Sequence, residues 1–90
     1  MIFEVQHHRN VLKAIKDLPA AYKDQFAQLI DVLKVEPVPF KKFDLVRIQG
    51  HNGIFRIRLG GFRLTYEVDE GNLCIRRLKL EPRGKAYKGL

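Results

Sequence analysis

The order of apolar patterns predicts an α+β fold. It reads β-α-α-β-β-β, with a two-helix hairpin packed on one face of a small twisted antiparallel sheet. Two helical stripes lie between residues 10 and 35, and the stretch "FRIRLGGFRLTYEV" at residues 55–68 alternates with period two on both sides of Gly-Gly. Between the two regions, Pro37 and Pro39 force extended backbone and separate helix from strand. With 90 residues the chain is expected to form a single domain spanning 1–90.

The elements follow in order. "IFEVQ" reads as a short first strand. In "NVLKAIKDL", Val11, Ile15 and Leu18 make a helical stripe with Leu12 beside it, and Asn10 is the expected N-cap. Pro19 ends that helix at Leu18 and can begin the next. Tyr22, Phe26, Leu29, Ile30 and Leu33 then predict an amphipathic helix to Lys34 or Val35. A strand is expected around Leu45 to Ile48, followed by an "HNG" turn. The hairpin comes next, and a last strand runs from Leu73 to Leu80. If Gly60 and Gly61 are the central turn residues, Leu59 faces Phe62 and Arg58 faces Arg63. Phe55, Ile57, Leu59, Phe62, Leu64 and Tyr66 then lie under the helices, and Arg56, Arg58 and Arg63 project from the open face. The run "IRRLKL" breaks the alternation, which leaves open which of Arg76, Arg77 and Lys79 joins them.

Charge is unevenly distributed. Residues 1–46 carry seven Lys/Arg and six Asp/Glu, whereas residues 47–90 carry ten and four. The excess in the second half points to a polyanion, with nucleic acid the first expectation. No apolar run approaches the roughly 18 residues of a membrane span, and "MIFEVQHHRN" lacks the apolar core of a signal peptide. A cytoplasmic protein without membrane attachment is therefore expected. Cys74 has no partner cysteine and reads as a small buried hydrophobe.

Two compact helices before "FRIRLGGFRLTYEV", the segment "EPVPFKKFD" and the closing "KLEPRGKAY" resemble the RelE toxins of RelBE toxin–antitoxin systems, the archaeal branch above all, within the wider RelE/ParE superfamily. The resemblance covers nearly the whole chain. It implies a metal-independent, cofactor-free endoribonuclease that enters the ribosomal A site and cuts mRNA there by attack of the ribose 2′-hydroxyl on the adjacent phosphate. It also implies a RelB-type antitoxin that holds the toxin inactive. Carried over by position, the catalytic set is Arg56, Arg58, Arg63, Arg83 and Tyr87. Arg56 and Arg58 stand where bacterial members often have lysine.

Residue chemistry fits this independently. Guanidinium groups match phosphate oxygens and stabilise charge built up on a five-coordinate phosphorus. A phosphate between Arg58 and Arg63 turns their repulsion into attraction. The proton of the 2′-hydroxyl, however, has no evident acceptor, because arginine stays protonated. Tyr87 is open between stacking on a base, proton transfer and packing. Arg47, Arg76, Lys79, Lys85 and Lys88 are expected RNA contacts; Arg47 flanks the site, and Lys85 and Lys88 grip phosphates without doing chemistry. Lys13, Lys16 and Lys23 read as a solvated helix face. His7 and His8 read as solvated or capping residues and His51 as a loop residue. Two alternatives stand: a ParE-like inhibitor of DNA gyrase, and a ribosome-binding translation inhibitor without cleavage.

Overall fold

The computed structural model describes residues 2–7 and 9–82. The elements are β1 (Glu4–Val5), α1 (Arg9–Lys16), α2 (Ala20–Val35), β2 (Asp44–Arg47), β3 (Ile54–Leu59), β4 (Phe62–Asp69) and β5 (Cys74–Pro82). The α+β class is as expected, but four strands rather than three follow the helices. Their sheet has the order β1-β5-β4-β3-β2. It is antiparallel except at one edge, where β1 pairs in parallel with β5. A crossover of two helices between β1 and the meander makes that parallel pairing possible.

The helices differ from expectation at their ends. α1 begins at Arg9, so Asn10 lies inside the first turn and is not the N-cap, and it ends at Lys16 rather than Leu18. Val11 and Leu18 are buried, while Leu12 is 54% exposed and belongs to no core stripe. In α2, Phe26, Leu29, Ile30 and Leu33 are buried at spacings of three and four. Pro19 sits at its N-cap, and the Pro19 carbonyl accepts from the amides of Tyr22 and Lys23 at 3.0 and 3.1 Å. At the other end, the amide of Phe3, the residue before β1, donates to the carbonyl of Lys34 at 2.7 Å and so satisfies a group the helix terminus leaves free.

The core forms between the helices and one face of the sheet. Ile57, Leu64, Tyr66, Val68, Ile75 and Leu78 meet Val11, Leu18, Phe26, Leu29, Ile30 and Leu33. Tyr66 is fully buried, and its hydroxyl donates to the carbonyl of Pro37 at 2.7 Å. Burial raises its phenol above the usual tyrosine range, so it remains a donor. The bond anchors the loop between α2 and β2. Cys74 is buried, as expected.

The β3–β4 hairpin has the expected register, with Leu59 opposite Phe62 and Arg58 opposite Arg63. Gly60 has φ 54° and Gly61 does not share the positive sign, the pattern of a type II′ turn. Tyr22 of α2 closes over this turn. Its hydroxyl accepts from the Gly61 amide at 3.1 Å, and its ring meets Phe62 edge-on at 4.8 Å between centroids. A Cβ on Gly60 would lie 2.7 Å from the Tyr22 hydroxyl oxygen.

The register of β5 explains why its sequence does not alternate. Lys79 faces Thr65 and Arg76 faces Glu67, so three steps on β5 match two on β4, and a bulge lies between Thr65 and Glu67. The extra residue lets Leu78 and Ile75 both reach the core while Arg76 and Lys79 share the open face. Among the described residues, no helix is long and apolar enough to cross a membrane.

Gly60→Ala combines a strained φ with a clash against Tyr22, and is expected to cost at least about 1 kcal/mol. Tyr66→Phe leaves the Pro37 carbonyl unpaired and is expected to cost about 1–3 kcal/mol. Urea denaturation of each variant against the parent checks both values.

Candidate functional site

Strand pairing arranges the open face in rows, each roughly 7 Å from the next along the strands. The row nearest the β3–β4 turn reads Asp44, Arg58, Arg63, Glu81 from β2 to β5. The second reads Val46, Arg56, Thr65, Lys79. These two rows carry four cations and two carboxylates. The third holds Ile54, Glu67 and Arg76, and the fourth Asp69, Cys74 and Glu4. Those rows carry one cation and three carboxylates. The face is therefore basic at the hairpin end and acidic at the other.

Arg56, Arg58 and Arg63 come together around a hollow of about 250 Å³, which Asp44 and Val46 also line. Each guanidinium is held differently. Arg58 Nη2 pairs with Asp44 Oδ2 at 2.6 Å. Arg56 Nε donates to Thr65 Oγ1 at 3.3 Å. Arg63 Nε is buried without a hydrogen-bond partner among the described residues. A buried donor of a charged group that is left unmatched favours an acceptor from outside, and an anionic oxygen suits it best.

Other expected site residues are placed less centrally. Lys79 is on the open face beside Thr65 and lies 3.8 Å from Glu81. Arg76 is on the same face but bound to acids: its Nε donates to Glu67 Oε1 at 3.0 Å and its Nη2 to Asp69 Oδ2. The hydrogen bond with Glu67, ahead of the charge of Asp69, raises its affinity for its proton. Arg47 pairs with Phe55, on the side of the sheet that the helices cover, and so does not join the cluster. Arg83, Lys85, Tyr87 and Lys88 lie outside the described residues, as does His8. β5 ends at Pro82 opposite Phe62, so the described chain stops at the hairpin end, beside Arg63.

Asp44 was not singled out by its sequence. It precedes the apolar Leu45 and shares the parity of Val46, which was the available signal, but only the pairing of β2 with β3 brings it to Arg58. A larger hollow of about 470 Å³ at the opposite end is lined by Glu67, Asp69 and Glu70 together with Arg47 and Arg76. Its carboxylates outnumber its arginines, and Arg76 is already paired with Glu67 and Asp69, so size does not make it the better polyanion site. No group of three or more His, Cys, Asp or Glu among the described residues could hold a metal ion.

No family model matches the chain. A candidate toxin, RelE1, of Methanocaldococcus jannaschii is 42% identical over 90 residues, which cover 98% of this chain and 98% of the relative. Among solved structures, the archaeal RelE–RelB complex from Pyrococcus horikoshii OT3 matches with a TM-score of 0.84 and 39% identity, over 94% of this chain and 99% of the matched chain. The RelB–RelE antitoxin–toxin complex from Methanococcus jannaschii matches with a TM-score of 0.74 over 97% and 98% of the two chains, at 20% identity, where the likeness is one of fold.

Hydrogen bonds from the Asn72 side chain and backbone, followed by the charge of Arg76, hold the Asp69 carboxyl below its usual range. A carboxylate held down in the folded state contributes stability above its ordinary pKa near 4, and that stability is lost as pH falls through the lower folded-state value. Acid titration of folding should therefore show a decline below about pH 4 that is smaller in Asp69→Asn.

Proposed function

The chain belongs to the RelE toxin family, and on that basis we propose that it is the toxin of a type II toxin–antitoxin pair, an endoribonuclease that cuts mRNA in the ribosomal A site. The observation that carries this proposal is the hollow lined by Arg56, Arg58 and Arg63, with Arg63 Nε buried and without a hydrogen-bond partner among the described residues. Three fixed guanidiniums suit a phosphodiester that gains charge as the 2′-hydroxyl attacks it. They require no metal to do so. Lys79, one strand away, serves the neighbouring phosphate. Arg76 is paired with Glu67 and Asp69, and Arg47 lines the hollow at the opposite end of the sheet, so neither is among the proposed RNA contacts.

Arg83 follows Pro82 in the sequence, and its proposed role is a further phosphate contact. Tyr87 is proposed as a substrate contact of the same site, and Lys85 and Lys88 as phosphate grips. A RelB-type antitoxin is the proposed partner. The relatives solved from Pyrococcus horikoshii and Methanococcus jannaschii are complexes of RelE with RelB, which supports it. With a net charge of +7, the chain would associate rapidly with an acidic partner.

Primer extension on mRNA paused on ribosomes tests the activity. The parent protein should give new 5′ ends within the A-site codon. Arg63→Ala should reduce them by about 10²–10³-fold, as loss of one transition-state donor does. Arrest of translation without cuts would replace cleavage by blockade. Absence of both would favour the gyrase-directed branch of the superfamily.

A further inference from the structure

Cleavage through a 2′-hydroxyl needs a group that takes its proton, and the three arginines around the hollow hold theirs too firmly to do so. Among the described residues that line that hollow, Asp44 is the one whose side chain offers a basic oxygen. It opens β2, at the sheet edge, and is half exposed. Its bond to Arg58 engages Oδ2 and leaves Oδ1 to accept. We propose that Asp44 is the general base of the cleavage, with Arg58 holding its carboxylate in place. The assignment rests on the endoribonuclease function proposed above.

The step is balanced as follows. The 2′-O–H bond breaks and the proton passes to Asp44. The 2′-oxygen forms a bond to phosphorus, and the bond from phosphorus to the 5′-oxygen breaks. The leaving 5′-oxygen takes a proton from water, and Asp44 returns its own to solvent. The products are a 2′,3′-cyclic phosphate and a 5′-hydroxyl. Three guanidiniums against one carboxylate leave the hollow positive, so the phosphate and the base are accommodated together.

The surroundings of Asp44 separate it from other candidates. Arg58 faces it from β3, and Arg56 and Arg63 line the same hollow from β3 and β4. In the preceding turn, Lys42 is paired with Glu36 at 3.0 Å. Glu81 ends the same row, but it lies by Lys79 and does not line the hollow.

The test is single-turnover cleavage on mRNA-programmed ribosomes, as a function of pH, for the parent, Asp44→Asn, Asp44→Glu and Glu81→Gln. A carboxylate base gives a rate that is nearly level between about pH 6 and 8.5. Asp44→Asn should be slower by about 10²-fold or more at pH 7, and its residual rate should rise ~10-fold per pH unit as hydroxide takes over. Its half-saturating ribosome concentration should stay unchanged. Asp44→Glu should recover the level profile, and Glu81→Gln should keep it. A parent rate that itself rises with pH overturns the assignment. So does Asp44→Asn cleaving at the parent rate, or more slowly with the same profile, which would make Asp44 only a positioning residue for Arg58. Transfer of the effect to Glu81→Gln also overturns it. A parent protein that makes no cuts sinks the endoribonuclease function itself, an outcome distinct from all of these.

Discussion

The arginine face depends on one register, that of the β3–β4 hairpin. Side chains on a strand alternate between faces, so a slip of one residue would carry Arg56, Arg58 and Arg63 beneath the helices and bring Ile57 and Leu64 into solvent. Burying three guanidiniums without partners is far more costly than any gain from the slipped pairing. The two-residue turn at Gly60 and Gly61 sets that register, and Tyr22 holds the turn from the helix layer through the Gly61 amide and the Phe62 ring. The core and the site are thus consequences of the same pairing, one on each side of the sheet.

Concentrating arginines on one face carries an electrostatic cost, and the row order reduces it. Asp44 and Glu81 flank Arg58 and Arg63, giving acid, base, base, acid across four strands. The like-charge pair at the centre is then a local excess within a nearly neutral row. Further along the same strands, Glu67 and Asp69 take up Arg76. Anions are therefore drawn to one end of the face rather than to the face as a whole, and the overall net charge of +7 adds long-range attraction.

Much of this was legible in the chain. Strict alternation around Gly-Gly is a local signal, and it determined both the hairpin register and the outward set of arginines. The apolar spacing of α2 was equally local, and its end at Val35 followed from the prolines behind it. Features that depend on partners were not legible. The bulge in β5 is an adjustment between strands, so "IRRLKL" alone could not assign Arg76 and Lys79 to a face. The charge of Arg47 suggests a place among the cations, whereas its parity with Leu45 puts it on the helix side. Asp44 carries no local signal, because its meaning comes from Arg58, fourteen positions away, and no short motif links them.

The parallel pairing of β1 with β5 has a consequence for how the protein is made. Glu4 and Val5 precede their partners, Cys74 and Ile75, by seventy positions and so emerge well before them during synthesis. This edge of the sheet cannot close until β5 has emerged, and pairings of such long sequence separation are slow to form. β5 also supplies one flank of the arginine rows, so an incomplete chain has helices and a hairpin but no finished site. The order of strands in the sheet thereby delays assembly of this face until β5 has been translated.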